Sequence, residues 1–234
     1  MLNEKTFLAI IPARGGSKRL PRKNVMPLAG RPLISWTINA ALQSEYIDKV
    51  LVTSDDDEIL QVSESFGVEV IKRPKHLAQD TSTSFDAIKH AIENTCSFDY
   101  IVLLQPTSPL RTNQHIDEAI RKLDSKSADA IISVTQMEHS PLWANILPEN
   151  ESISDFLKDE VSNKRSQDLE TYYRLNGAIY ICKTEKLLYT GSFFLKSNSY
   201  AYKMSNTTSV DIDTGMDFKW AEFLYGTQNI VSSK

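Results

Sequence analysis

Residues Ile10 to Asn24 read IIPARGGSKRLPRKN, an apolar run that passes into a loop carrying five cations, Arg14, Lys18, Arg19, Arg22 and Lys23. No Asp or Glu occurs between Thr6 and Ser44. Gly15 and Gly16 let the backbone approach a ligand closely, and successive N–H groups in such a turn form a nest for an anion. Arg14, Lys18, Arg19 and Lys23 supply charge that would spread over a triphosphate. The loop has neither the G-x-x-x-x-G-K-[ST] nor the G-x-G-x-x-G spacing, so a phosphate cradle here is of another kind. The bland reading is a solvated basic loop, with membrane lipid or RNA as its partner.

A second constellation lies near the other end, at Asp211 and Asp213 in SVDIDTG. Read as a strand, i and i+2 point to one face, so the two carboxylates can share a hard cation. Mg2+ takes few protein carboxylates and completes its shell with water and phosphate oxygens. Two solvated acids at a surface strand end are the alternative. Asp217, three residues after Thr214, is expected to cap a helix. Asp56, Asp57 and Glu58 suit a helix's first turn, and Asp55 remains a site candidate at a strand end.

Two further stretches carry polar groups. In LLQPTSPLRT the prolines fix a turn and leave Gln105, Thr107, Ser108 and Arg111 beyond a strand, suited either to a polyhydroxylated ligand or to the turn's own backbone. In YYRLNGAIY, Arg174 is either a surface cation beside an Asn-Gly turn or a bidentate partner for a carboxylate; Arg165 could act likewise. His76, His90, His115 and His139 show no metal-ligand spacing, and nothing identifies a Ser or Cys nucleophile. The implied chemistry is phosphoryl or nucleotidyl transfer without a covalent protein intermediate.

These groups need elements to position them. TFLAIIPA, KVLVTSD, VEVIKRP, YIVLLQP and DAIISVTQ read as strands, separated by amphipathic helices over 33–42, from Asp57 toward Gly67, over 84–94 and from Thr112 or Asn113. Strands buried on both faces mean a three-layer α/β sandwich with a mostly parallel, Rossmann-like sheet. Ligands in such sheets sit beyond the carboxyl ends of the strands, so the basic loop, Ser54-Asp55 and Gln105 to Thr107 should converge. Between about Met137 and Tyr173 the period is lost, as in a lid, an interaction arm or a loosely packed surface segment. GAIYICK and SYAYKMS restore strand character, and a strand then a helix close the chain.

The formal net charge of −4 argues against general nucleic-acid binding, and points the local cation cluster at a small polyanion. No apolar run approaches the length of a membrane span, and no leader-like segment follows Met1, so no membrane partner and no export are expected. Two cysteines, Cys96 and Cys182, give no disulfide framework and suit a reducing cytoplasm.

Taken together, IIPARGGSKRLPRKN, VLVTSDDDEI, RPKHLAQDTSTS, LLQPTSPLRT, RLNGAIYI and DIDT, in that order over residues 7 to about 225, resemble the CMP-sialic acid synthetases, the acylneuraminate cytidylyltransferases. The resemblance implies a single domain over 1–234 that couples CTP to a nine-carbon 2-keto acid sugar with release of pyrophosphate. It implies that Arg14, Ser17, Lys18, Lys23 and Asn24, with the Ala13, Gly15 and Gly16 backbone, hold the triphosphate, and that Arg73, Ser82 and Ser84 frame the cytidine. Gln105 and Asn176 would lie on the sugar side, Arg165 and Arg174 at the carboxylate, and Tyr180, Phe193 and Phe194 around the N-acyl group. Arg14, Lys18, Asp211 and Asp213 would be catalytic, the aspartates through Mg2+. It also implies a homodimer, with 137–175 as a dimerisation or lid insertion. The same reaction on legionaminic or pseudaminic acid, or on Kdo, is a rival reading. Others are a UTP- or GTP-dependent transferase and a non-catalytic regulator that binds nucleotide sugars.

Overall fold

The computed structural model describes residues 2, 4–79 and 82–231. Its central sheet begins with β1 (Phe7–Pro12), whose first five residues are fully buried. Phe7, Ala9 and Ile11 face one core and Leu8 and Ile10 the other. This is the alternation that a strand covered on both faces requires. A small hairpin follows, β2 (Pro27–Leu28) with β3 (Arg31–Pro32). It leads into α1 (Leu33–Leu42). Then come β4 (Lys49–Ser54), α2 (Asp57–Glu64), β5 (Glu69–Lys72), α3 (Ser84–Glu93), β6 (Tyr100–Leu103), α4 (Asn113–Ser125) and β7 (Ala130–Gln136). The last third holds the four-residue α5 (Asp159–Ser162), β8 (Tyr173–Lys183), α6 (Thr184–Thr190), β9 (Ser199–Met204) and α7 (Gly215–Val231).

The sheet order is β5-β4-β1-β6-β8-β7-β9. Within this sheet every described pairing is parallel except those of β8, which runs antiparallel between β6 and β7. One face packs on α1, α2 and α4 through Ile34, Ile38, Ile59, Ile116 and Ile120. The other packs on α3 and α6 through Ile88, Ala91 and Leu187. A smaller cluster joins α7 to Leu28, Leu33, Leu110 and Ile212. The layered α/β sandwich read from the sequence is the architecture found.

Helix starts follow local chemistry. Thr83 caps α3 in a reciprocal box with Asp86, and Thr112 does the same for α4 with His115. Asp56 accepts from the Ile59 N–H at the start of α2. Asp217 accepts from the N–H groups of Asp213 and Thr214, as its spacing predicted.

One element differs from expectation. Residues 209–214 form no strand in the described sheet. They pack along the cleft edge instead, with the Ile212 N–H donating to the Thr107 carbonyl at 2.8 Å. Val210 and Ile212 are buried while Asp211 and Asp213 face out. The alternation survives because an extended backbone keeps a two-residue period whether or not it joins a ladder.

Candidate active site

Because β1, β4 and β6 are parallel, the segments after them emerge at one edge. There a cleft of about 620 Å3 opens, lined by Arg14, Ser17, Lys18, Arg19, Lys23 and Asn24 of the basic loop, Arg73, Ala78, Gln79, Ser82 to Ser84, Gln105 to Thr107, and Asp211 with Asp213. The convergence expected from the strand order is thus present. β8 runs the opposite way, so its N-terminal residues also reach this edge, and the 137–172 segment leaves from it between β7 and β8.

The loop is fixed from below. Asp55 accepts from the Gly15 N–H at 3.1 Å, and a Cβ on Gly15 would lie 2.6 Å from an oxygen of Asp56. Gly15 thus packs on the N-terminus of α2, where a side chain would meet Asp56. Ala13 is buried, and neither it nor Gly15 or Gly16 lines the cleft. Arg22, in the left-handed region at φ 60°, pairs with Asp56 at 2.7 Å and with Glu58. It anchors the loop to α2.

Two buried groups on the cleft wall have spare bonding capacity. Asn24 donates to the Arg14 carbonyl at 3.1 Å, but its Oδ1 has no partner among the described residues. Arg73 is 5% exposed, its Nε is likewise unpartnered, and among the described residues its carboxylate partner is Asp55 at 3.9 Å. Burial pulls the Arg73 pKa down, Asp55 raises it, and Arg14 lowers it further. A buried guanidinium so weakly compensated is suited to take acceptors from a ligand. Across the cleft, Ser84 opens α3, and the Ser82 hydroxyl donates to the His76 carbonyl at 2.8 Å. Gln79 and Thr83 also line this wall. Both fall within RPKHLAQDTSTS, but nothing in the sequence singles out either.

Asp213 meets two cations, Arg19 at 2.9 Å and Lys23 at 3.1 Å. Asp211 is bonded by the Thr107 side chain; desolvation in the cleft and the neighbouring Asp213 raise its pKa. The pair fits a divalent cation of the Mg2+ kind. The donor set is two carboxylates facing the basic loop, and no group of three acidic, His or Cys ligands occurs among the described residues. Such an ion would keep shell positions for water and phosphate.

The expected sugar-side residues separate into four groups. Gln105 lines the cleft, and its amide lies against Gly177, where φ is 72° and a Cβ would come within 2.8 Å of Gln105 Oε1. Tyr180, Phe193 and Phe194 form an aromatic group with centroids 5.9 and 6.2 Å apart, Tyr180 close enough to Asp211 to feel its charge. Arg174 and Arg165 are exposed, and neither lines this chain's cleft. Arg165 lies in the 137–172 segment, its N–H donating to Asp168 at 3.3 Å.

Asn176 is not placed to touch a sugar. It is 1% exposed; its Oδ1 accepts from Ser133 at 2.6 Å and the Ala178 N–H at 3.2 Å, and its Nδ2 donates to Ser209 at 2.9 Å. It ties β7 and β8 to the turn that leads into Asp211, which makes it a positioning group. Arg111 also turns inward. It is 2% exposed and donates to the carbonyls of Ala178 at 2.9 Å and Gln105 at 3.3 Å. Burial lowers its pKa to about 9.

Residues 8–221 match the family described as Cytidylyltransferase. Over 216 residues the chain is 40% identical to an N-acylneuraminate cytidylyltransferase of Escherichia coli, covering 92% of this chain and 51% of the relative. It is 35% identical to a pseudaminic acid cytidylyltransferase of Campylobacter jejuni, covering 93% of this chain and 95% of the relative. It is 36% identical to a CMP-N,N'-diacetyllegionaminic acid synthase of Legionella pneumophila, again covering 93% and 95%. The chain thus spans about half the length of the first relative and nearly all of the other two. Among solved structures, a CMP:2-keto-3-deoxy-manno-octonic acid synthetase complexed with CTP superposes with a TM-score of 0.73 at 17% identity, covering 95% of this chain and 99% of that one. That likeness bears on the fold.

Proposed function

The chain belongs to the cytidylyltransferase family, and we propose that it transfers CMP from CTP to the anomeric hydroxyl of a nine-carbon 2-keto acid sugar, with release of pyrophosphate. The observation that carries this reading is one cleft that joins the cationic loop, the weakly compensated Arg73, the open acceptor of Asn24 and the carboxylates of Asp211 and Asp213. A triphosphate supplies the charge that such a cleft lacks.

In this reading Arg14, Lys18 and Lys23 meet phosphate oxygens, and their fixed charges are in place before negative charge grows on the leaving pyrophosphate. Arg73, Ser82 and Ser84 frame the base and ribose. Gln105 holds acceptor hydroxyls above the strand end, so that the hydroxyl approaches the α-phosphorus in line and a two-body encounter becomes an oriented one. Mg2+ held by Asp211 and Asp213 would supply charge neutralisation to the phosphates. The hydroxyl proton passes to the aspartate pair or to solvent. Tyr180, Phe193 and Phe194 offer an apolar wall beside Asp211, suited to an N-acyl group.

We further propose a homodimer in which segment 137–175 of each subunit reaches the other's cleft. Support comes from its exit at the cleft edge, the exposure of Ile146, Leu147 and Ile153, and the position of Arg165 away from its own cleft. The proposed compartment is the cytoplasm, where CTP is available; no described helix is long and apolar enough to cross a membrane.

Arg174 would meet the acceptor's carboxylate. Its side chain is exposed and donates to the neighbouring Leu175 carbonyl at 3.3 Å, so its removal should cost little stability. Arg174→Ala should raise the acceptor KM by about tenfold or more, the scale of a lost charged hydrogen bond. Its CTP affinity should stay within about twofold; an equal loss of CTP affinity would move Arg174 out of the acceptor site.

The reaction class is tested by pyrophosphate release with CTP, UTP, GTP and ATP in parallel, each with Mg2+ and an acceptor acid, and each repeated with chelator. Release confined to CTP and abolished by chelator is expected. Comparable release from UTP would contradict the cytidylyl assignment. The relatives that this chain spans almost end to end are named for pseudaminic and legionaminic acids, which favours these as a second reading of the acceptor over N-acetylneuraminic acid.

A further inference from the structure

Both carboxylate oxygens of Asp213 are held by cations of the basic loop. Arg19 Nη2 lies 2.9 Å from Oδ2, and Lys23 Nζ lies 3.1 Å from Oδ1 while also donating to the Ile212 carbonyl at 2.8 Å. The carboxylate belongs to a segment fixed from behind, since Asp217 binds the N–H groups of Asp213 and Thr214 and Thr107 binds that of Ile212. The cations sit on the more exposed side. The Arg19 side chain is 70% exposed, so its pair with Asp213 is weak and exchangeable. Lys23, at 13% exposure, is held more closely.

A divalent cation arriving alone meets a carboxylate already satisfied by two positive groups. A triphosphate arriving first offers both groups a stronger set of acceptors. We propose that Arg19 and Lys23 form a counter-ion latch on Asp213, which the phosphates of the nucleotide release, so that nucleotide binding opens the aspartate pair to the divalent cation. Nucleotide and metal then bind with positive coupling, and the coupling is reciprocal. The latch rests on the reading of the cleft as a CTP and metal site. Arg19 acts through Asp213 and is a positioning residue.

The test is Mn2+ binding, read by electron paramagnetic resonance of the free ion, to the full chain as wild type, Arg19→Gln, Arg22→Gln and Asp213→Asn. Each protein is titrated without nucleotide and with CTP, with parallel titrations of CTP alone to subtract the metal it binds itself. Without nucleotide, Arg19→Gln should bind Mn2+ about threefold more tightly than wild type, the scale of an exposed ion pair. Arg22, whose partners are Asp56 and Glu58, removes an equal charge from the same loop, and its variant should leave Mn2+ affinity unchanged. CTP should tighten Mn2+ binding to wild type more than to Arg19→Gln. Equal affinities for Arg19→Gln and wild type without nucleotide would overturn the latch, as would an equal gain in Arg22→Gln. If Asp213→Asn binds Mn2+ as wild type does in both conditions, the metal reading of the aspartate pair fails first and the latch falls with it.

Discussion

Asp213→Asn is expected to lower kcat by roughly 10²–10³-fold, the scale that follows loss of one preorganised electrostatic group, while CTP still binds. Asparagine keeps the shape and one acceptor oxygen but loses the charge that a divalent cation needs. The local fold should persist, because Asp217 receives the backbone N–H of residue 213 and not its side chain. Loss of the carboxylate also frees Lys23 and Arg19 from their ion pairs. CTP affinity measured in chelator should therefore hold or tighten. A fall in CTP affinity as large as the fall in kcat would show that Asp213 supports the nucleotide site itself. Near-normal Mg2+-dependent turnover would remove Asp213 from the chemistry.

Lys18→Ala should have its main effect on the nucleotide. Lys18 lines the cleft beside Ser17 and Arg14, within the loop that follows β1. Its amine would meet triphosphate oxygens, and a charged hydrogen bond of about 1.5–3 kcal/mol converts to a roughly 10–100-fold rise in the Kd for CTP. Calorimetry in chelator separates this from metal effects. Tight CTP binding by the variant, with affinity lost for CMP and CTP alike in Arg73→Ala, would place the nucleotide's phosphates elsewhere in the cleft.

The parts of this account that were legible in the sequence depend on short-range chemistry. The runs that became β1 and β6 are apolar throughout, a pattern that only double-sided burial explains. Thr112, one of the two starts read for its helix, and Thr214 with Asp217 mark their helix starts locally. The basic loop announces its charge directly, and its meeting with Gln105 and Asp55 follows from parallel strands that end at one edge.

What was hidden depends on partners far apart in the chain. Nothing in GAIYICK tells whether the strand runs with its neighbours or against them, yet the reversal of β8 is what carries Arg174 and Asn176 to the cleft edge. Asn176 sits in an Asn-Gly pair that reads as an exposed turn. Ser133 and Ser209, 43 and 33 residues away in sequence, take its side chain into the core. Arg111 reads equally as a ligand contact or as a partner of its turn's backbone; the Gln105 carbonyl bears out the second, while the Ala178 carbonyl, 67 residues away, draws it inward. Gly15 suggests room for a ligand, whereas the atom that excludes a side chain there belongs to Asp56. Asp211 and Asp213 share a face as the two-residue period required, but on an extended edge segment and not on a strand.

The central claim is cytidylyl transfer to a nonulosonic acid, and it is tested most directly by mass spectrometry of products. The full chain would be incubated with CTP and Mg2+ and offered N-acetylneuraminic, legionaminic, pseudaminic and Kdo acids in separate reactions, with pyrophosphate counted in each. The account predicts a CMP-sugar from at least one of the nine-carbon acids, in equal amount to the pyrophosphate released, and little from Kdo. Pyrophosphate with CMP but no CMP-sugar, or a product from Kdo alone, would contradict it.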